Sequence, residues 1–415
     1  MKVFKFGGAS VKDAESVENV AVVLKKQGLT PYLLVVSAMG KTTNNLEEVL
    51  RLYMNDEQYL EQIEVIKTFH SDIANTLFEN NHSIFETING IFEDLMIFLS
   101  RNKSKNYNFI YDQVVVTGEI ISSKILSAYL NSQQIHNTWL DARHYIKTDN
   151  NYREGKVNWE LTEQNISTIA KTESYVTQGF VASDDNNFNT TLGREGSDYS
   201  AGIFAYCLNA ESMTIWKDVA GVMTGDPRKF EKVELIEYLS YKEAIEMAYY
   251  GASVIHPKTL QPLQRKNIPF FVKSFLAPLE KGTEIGIEKP EIKPKESYIL
   301  KEHQVLLNIS TKDFSFITEN HLSMIFSLLV DYKIKVSLMQ NSAISLALCL
   351  EDKYHNVHDF SAELHDGFEI QKTENVSLLS VRNIELKNIE KTFVEQEILL
   401  KQMNQQTLQM VIKTN

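Results

Sequence analysis

The period of the apolar positions changes along this chain, and the changes divide it. Residues 1–40 read as a short apolar run (Val3 to Phe6), a turn at Gly7-Gly8, a helical pattern from Asp13 to Gln27 and a second apolar run from Leu33 to Val36. Short unbroken apolar runs between helical stretches are the pattern of parallel strands covered on both faces. From about Asn45 to Arg101 apolar residues recur at spacings of three and four, which predicts an almost wholly helical segment. Val114 to Val116 is β-branched and predicts a strand, with Gly118-Glu119 at its end and a helix from Ile120 to Leu130 after it. Val176 to Val181 and Met213 to Trp216 predict further strands, Tyr199 to Leu208 and Tyr241 to Tyr250 helices. Pro257 opens another helix, and Pro269 to Lys273 gives one more strand. Strands alternating with helices predict an α/β fold on a mainly parallel sheet sandwiched by helices.

The pattern then breaks. Residues 281–300, with proline, glycine, glutamate and lysine, read as a linker. Beyond it come a strand (Val305 to Ile309), a helix (Ser315 to Tyr332), two strands (Val336 to Met339, Ile344 to Leu350) and a helix (Tyr354 to His365). That order predicts a small ferredoxin-like module. Ser377 to Val381 and Leu408 to Ile412 would be the strands of a shorter, partial second copy. The expected organisation is a domain over 1–280 containing the helical segment 45–101, a linker over 281–300, and a smaller region over 301–415.

Composition narrows the classes. A chain of 415 residues, 43% hydrophobic and 23% charged, suits a globular protein of two or three domains. A formal net charge of −12 argues against non-specific binding to nucleic acid or a membrane surface. No apolar run is long enough to span a bilayer, and Lys2, Lys5 and the glycines interrupt the opening residues, which therefore do not read as a secretory signal. Cys207 and Cys349 lie far apart in apolar runs, as buried reduced thiols of a cytoplasmic protein would. No cysteine–histidine spacing or HExxH predicts a metal held by the protein.

The candidate chemistry centres on Thr191-Leu-Gly-Arg-Glu-Gly-Ser-Asp198, at an expected strand-to-helix turn. Glycines let the backbone approach a ligand, a helix start offers free N–H groups, and Arg194 can grip a carboxylate or phosphate through two bonds. Lys5 beside Gly7-Gly8, Gly118-Glu119 and Lys217-Asp218 stand at other expected strand ends, the edge at which open α/β sheets bind ligands. Gly40-Lys41-Thr42 is not a P-loop, because Val35 stands where that motif needs glycine. A carboxylate attacking the terminal phosphate of ATP suits such residues: it is already ionised near pH 7 and needs no general base, only cations and N–H dipoles around the transferring group. Read singly, Glu119 is either an acid complementing a helix start or a group for a substrate ammonium. Asp198 is either a first-turn acid or a group orienting cations or Mg²⁺. Asp226-Pro-Arg228 is a turn signal.

Taken together the motifs resemble the aspartate kinases of the amino-acid kinase superfamily. Lys5-Phe-Gly-Gly-Ala-Ser-Val11, Val36-Ser-Ala-Met-Gly40 with Thr43-Asn44, Gly118-Glu119, Asp141-Ala-Arg143, Gln178-Gly-Phe180, Leu192-Gly-Arg-Glu-Gly-Ser-Asp198, Lys217-Asp-Val219, Asp226-Pro-Arg228 and Gly251-Ala-Ser-Val-Ile-His-Pro257 follow in that family's order, over residues 1 to about 275. The tail from about 300 resembles its regulatory ACT domains, which usually mediate dimerisation. The resemblance implies conversion of L-aspartate and MgATP to 4-phospho-L-aspartate and ADP, the first step toward lysine, threonine and methionine. It implies that Lys5, Gly7 and Gly8 cradle the transferring phosphoryl group, and that Ser37, Thr43, Glu119 and Arg194 bind aspartate, Arg194 at the α-carboxylate and Glu119 at the ammonium. Ser197 and Asp198 would lie where aspartate and phosphate meet, and Lys217, Asp218, Met223 and Arg228 would line the nucleotide pocket. Lysine or threonine would be the effector, and a homodimer the assembly.

Several positions depart from the family pattern. Ala9 stands in place of a usual threonine, Glu195 in place of a glycine, Gly225 where threonine is frequent and Ser253 where lysine is frequent. Glu195 is expected to turn away from the phosphates, since a negative charge pointing inward would repel them. Asn341-Ser-Ala343 replaces a usual Thr-Ser-Glu near the effector strand, so the effector differs or feedback is weak. Asn415 comes too early for the homoserine dehydrogenase domain fused to some relatives. Two other readings compete: a kinase of another small carboxylate or UMP, and a catalytically silent amino-acid sensor built around the ACT region. The helical segment 45–101 speaks against the first, retention of Lys5, Glu119, Arg194 and Asp198 against the second.

Overall fold

A computed structural model describes residues 1–29, 31–252, 255–384, 397–404 and 406–413. It divides into two compact units, Met1–Val222 with Leu235–Ile245 and Val254–Pro290, and Met223–Glu234 with Glu246–Ser253 and Glu291–Asn415.

The first unit begins with β1 (Lys2–Phe6), a 3-10 turn (Gly8–Val11), α1 (Ala14–Lys26) and β2 (Tyr32–Val36). Asp13 caps α1 by accepting from the Ser16 N–H at 2.8 Å. The expected helical segment follows as α2 (Thr42–Met54), α3 (Leu60–Leu77) and α4 (Ile84–Arg101). One long helix, α5 (Tyr107–Ser132), comes next, then β3 (Thr138–Leu140), α6 (Ala142–Tyr145), α7 (Trp159–Ile166), β4 (Tyr175–Gln178), β5 (Val181–Ser183) and β6 (Asn189–Thr191). The unit continues with α8 (Gly196–Leu208), β7 (Met213–Lys217) and β8 (Tyr238–Ser240). After α9 (Tyr241–Tyr250), which crosses the division between units, come α10 (Pro257–Arg265), β9 (Phe270–Ser274) and β10 (Thr283–Gly286).

The eight-stranded sheet runs β3-β4-β2-β1-β7-β9-β10-β8, parallel except where β10 meets β9. β1 is central: Phe6 pairs with Val36 on one side and Trp216 on the other, and Val36 pairs with Gln178. The carboxyl ends of β1, β2, β4 and β7 therefore lie in line. Val17, Val20 and Leu24 of α1, Leu46 and Leu50 of α2 and Ile121 and Ile125 of α5 join Phe4, Phe6 and Leu34 in one core.

Three expectations are corrected here. Val114 to Val116 is not a strand and Glu119 does not follow one; both lie within α5, buried from Ile110 to Leu130 on nearly every side. Burial outweighs the weak helix preference of valine, a few tenths of a kcal/mol per residue against about 1.5–3 for covering a large apolar side chain. The run Val176 to Val181 breaks at Gly179-Phe180, where φ of Phe180 is 68°, into two strands. Residues 281–300 are not a plain linker, since β10 completes the first sheet and a strand of the second unit starts at Ser297.

The second unit carries β11 (Ser297–Thr311), α11 (Glu319–Asp331), β12 (Lys335–Asn341), β13 (Ser345–Glu351), α12 (Val357–Leu364) and β14 (Phe368–Arg382), then β15 (Ile398–Asn404) and β16 (Thr407–Lys413). Its antiparallel sheet runs β12-β13-β11-β14-β16-β15. The first four strands and two helices make the expected ferredoxin-like module, with Leu307, Ile325, Leu329 and Phe360 in its core. β15, whose exposure alternates irregularly, carries too weak an apolar pattern to read from sequence.

Candidate active site

At the end of β1, Lys5 is 8% exposed and its Nζ stands 2.5 Å from Oδ1 of Asp198, in the first turn of α8 and 4% exposed. Two interlocked loops flank them. Gly7 precedes the 3-10 turn, and a Cβ there would stand 3.4 Å from the Lys5 ammonium. A Cβ on Gly8 would come within 2.8 Å of the Ala38 carbonyl, so only glycine permits this approach. Ser37 follows β2, half-buried, its carbonyl accepting from the Ser122 hydroxyl of α5 at 2.7 Å. Thr43 is half-buried in the first turn of α2.

Glu119 enters this cluster from the middle of α5. It is 3% exposed, and its Oε2 has no hydrogen-bond partner. Burial pushes its carboxyl up to about 8, against the lowering effects of its own and the Ala38 backbone N–H groups and of Lys5. A buried acid held against its ionisation, with an oxygen unspent, can take a cation brought to it. Gly118 allows the approach: a Cβ there would meet Thr42 and Ala38 at 3.0 and 3.1 Å.

The 192–198 segment turns sharply. Gly193 has φ 76°, Glu195 φ 53°, and the Gly196 N–H bonds to the Gly193 carbonyl at 2.9 Å. Arg194 is exposed, Ser197 half-buried. A Cβ on Gly179 would fall 2.5 Å from that of Ser197, so the end of β4 and the start of α8 touch.

Glu195 does not turn away, as the sequence led one to expect. It is half-buried, its Oε2 is enclosed without a hydrogen-bond partner, and burial and the nearby Asp198 raise its pKa while Lys217, Arg194 and Lys5 pull it down. Its backbone is left-handed, and the three cations counter the burial and the Asp198 charge only in part. Lys217 ends β7, half-buried, and Asp218 beside it is exposed.

The first unit thus gathers Lys5, Gly7, Gly8, Ser37, Thr43, Glu119, Arg194, Ser197, Asp198, Lys217 and Asp218 on the segments around the carboxyl edge of its sheet. Met223 and Arg228 belong to the second unit, where Arg228 is exposed and forks onto Asp226 at 2.7 and 2.9 Å. Gly225 is explained by Phe230, whose ring would stand 2.9 Å from a Cβ. Ala9 is exposed, and Ser253 lies outside the described residues. Sequence reasoning overlooked Asp112, a buried acid in α5 whose only signal is a charge set among apolar residues of a helical run.

A Lys–Asp pair, a buried glutamate and glycine loops stand together at the carboxyl ends of a parallel sheet, the edge at which open α/β folds bind ligands. The sequence profile of the amino acid kinase family matches residues 1–274. Lysine-sensitive aspartokinase 3 of Escherichia coli is 30% identical, over 84% of this chain and 78% of that protein. The bifunctional aspartokinase/homoserine dehydrogenase of Buchnera aphidicola is also 30% identical over 92% of this chain, which spans 49% of that longer protein. The crystal structure of E. coli aspartokinase III in complex with lysine and aspartate superposes with a TM-score of 0.84 at 25% identity, over 100% of this chain and 96% of that one. The chain belongs to the amino acid kinase family, among its aspartokinases. Its second unit is consistent with an ACT-like region.

Proposed function

We propose that the protein transfers the terminal phosphoryl group of MgATP to the side-chain carboxylate of L-aspartate, forming 4-phospho-L-aspartate and ADP, the first step of the aspartate-family amino-acid pathway. The observation that carries this reading is the Lys5–Asp198 pair at the β1 edge with the unspent Glu119 carboxylate beside it. A carboxylate oxygen of aspartate forms the bond to γ-phosphorus, and the bond from γ-phosphorus to the ADP oxygen breaks. No proton moves in the transfer, so no general base is required.

The catalytic task is electrostatic. Lys5 and the N–H groups of Gly7 and Gly8 meet the migrating phosphoryl group, and Asp198 orients the Lys5 ammonium. Glu119 takes the substrate ammonium, Arg194 its α-carboxylate, and Ser37, Thr43 and Ser197 offer hydroxyls between. Lys217 and Asp218 serve the nucleotide. Among the described residues no group of three acids or histidines could hold a metal ion alone. The enclosed Glu195 oxygen near Asp198 nevertheless fits a cation that brings its own phosphate ligands, so Asp198 and Glu195 are the residues that would meet Mg²⁺. When bound, Mg²⁺ neutralises phosphate charge.

The second unit would take an amino-acid effector, lysine or threonine, and join two copies in a homodimer. The likeness to the lysine-bound relative supports lysine first. ATP as co-substrate supports a cytoplasmic location, and among the described residues no helix is long and apolar enough to cross a membrane.

The test is MgATP-dependent acyl phosphate formation from L-aspartate, trapped with hydroxylamine, with glutamate and N-acetylglutamate in parallel. Turnover with aspartate alone is expected. Preference for another acceptor, or none, would overturn the reading.

A further inference from the structure

Two turns before Glu119 and on the same face, α5 carries Asp112, a carboxylate with no exposed surface that the phosphoryl transfer does not use. Its Oδ2 accepts from the backbone N–H groups of Arg153 at 2.9 Å and Thr191 at 3.0 Å, and its Oδ1 from the Thr191 hydroxyl at 2.8 Å. Both partners back the loop that carries Arg194. Thr191 ends β6, and its carbonyl takes the Gly155 N–H at 2.9 Å. The Arg153 carbonyl lies 3.3 Å from where a Cβ on Gly193 would stand. Arg153 itself holds φ 72°, with its guanidinium 4.4 Å from the centre of the Tyr111 ring. Burying a carboxylate is costly unless its oxygens are bonded, and here three bonds reach it from two adjoining segments of the chain.

We propose that Asp112 is a positioning residue for the amino-acid substrate: by holding the Arg153 turn and Thr191 against α5, it sets where Arg194 stands relative to Glu119. The inference rests on the aspartate reading of the site. One rigid helix then carries both the group that meets the substrate ammonium and the anchor of the group that meets its α-carboxylate. The span between the two poles of the amino acid is built into α5, and a longer or shorter acceptor meets one pole at the expense of the other.

Burial pushes the Asp112 carboxyl up to about 6, against the lowering by the bonds from Arg153 and Thr191 and by the Arg153 charge. The other ionisable groups facing it are Tyr111 and Tyr152. Protonation weakens the grip on the two N–H groups, so the anchor loosens on the acid side of that value.

The experiment compares wild type, Asp112→Ala, Asp112→Asn and Thr191→Val in steady-state kinetics with L-aspartate and MgATP, and in aspartate binding by calorimetry. Asp112→Ala and Thr191→Val should raise the KM and Kd for aspartate about tenfold, with KM for ATP and kcat changed less than about threefold. Protonation of Glu119 raises the KM for aspartate in both proteins as the pH falls, so Asp112 is read from their ratio: the KM of Asp112→Asn should exceed that of wild type about tenfold above pH 7, and the ratio should fall toward one below about pH 6. Unchanged aspartate affinity in Thr191→Val and in Asp112→Ala, or equal losses in kcat and both KM values, would overturn the proposal. Thr191→Val decides alone if Asp112→Ala fails to fold. A wild type that binds aspartate without turnover would fail the activity reading only, because the binding comparison still tests the anchor.

Discussion

Glu119 shows how a buried acid is held at a cost to the folded protein. Its carboxyl is raised to about 8, first by burial, so the folded state takes up a proton that the unfolded chain releases near its ordinary value of 4.5. A group raised in this way contributes stability that is fully present below about pH 4.5 and is lost as the pH rises through about 8. Glu119→Gln keeps the shape and removes the ionisation. Its thermal stability relative to wild type should improve between pH 5.5 and 8 by about 3 kcal/mol, while aspartate turnover falls at least ~100-fold. Thermal melts at the two pH values check the first part, and a constant gap would refute the cost assigned to burial. Glu195 is the second residue with a cost, since its φ of 53° belongs to the left-handed region. Glu195→Gly should stabilise the fold by about 1 kcal/mol and raise the Mg²⁺ concentration needed for half-maximal turnover, read from a Mg²⁺ titration at fixed ATP. Lys5→Ala should lower kcat by about 10²–10³, with near-native circular dichroism as the control.

At the scale of elements, the site depends on backbones that touch. The end of β4 and the start of α8 meet at Gly179 and Ser197 with no room for a methyl group. Gly179→Ala should therefore cost about 1–3 kcal/mol of stability and at least ~tenfold in kcat/KM for aspartate; normal kinetics would show that the two elements yield more easily than their spacing implies. The helices over 42–101 have their own internal lock. His70 of α3 has no exposed surface, its ring Nδ1 lies 2.7 Å from the Ile66 carbonyl and its Nε2 faces the Thr42 hydroxyl of α2 at 3.3 Å. Burial lowers it to about 4. A depressed histidine contributes stability that is present above about pH 6.5 and is lost as the pH falls through about 4, in total about 3 kcal/mol. His70→Leu should flatten that part of the acid-denaturation curve, measured by tryptophan fluorescence against pH.

At the scale of the whole molecule, the second unit includes Glu246–Ser253 as well as the ACT-like sheet. The Arg382 guanidinium of β14 stands 3.6 Å from the Glu246 carboxylate, and Gly251, with φ 113°, lies against the Lys301 side chain of β11. The chain at the end of α9 thus packs on the sheet of the second unit. Asn341-Ser-Ala343, which replaces the usual family residues, forms the tight turn from β12 to β13, with the Ser342 N–H on the Ser345 carbonyl at 2.8 Å. Activity assays with lysine and with threonine added, and mass by light scattering, would test effector and dimer together. Inhibition by lysine is the expected outcome, and indifference to both would assign the second unit another role.

Sequence alone determined the alternation of strands and helices, the helical character of 45–101, the ferredoxin-like order of the tail and the glycine loops, because period and turn chemistry are local properties. It also supplied Lys5, Glu119, Arg194 and Asp198 as candidates, through their neighbours in the chain. What it could not decide depended on burial and on contacts across long separations. Val114 to Val116 became helix because α5 is enclosed on nearly all sides, and the strand expected over 176–181 broke where α8 pressed on Gly179. Glu195 came to lie with an enclosed oxygen near Asp198, Lys217, Arg194 and Lys5, charges that lie far from it in the chain or act on it only once it is half-buried. Asp112 acquired its hydrogen-bond partners only when folding brought Arg153 and Thr191 to it. Such outcomes are set by packing density and by where charges meet, and neither exists until the chain is folded.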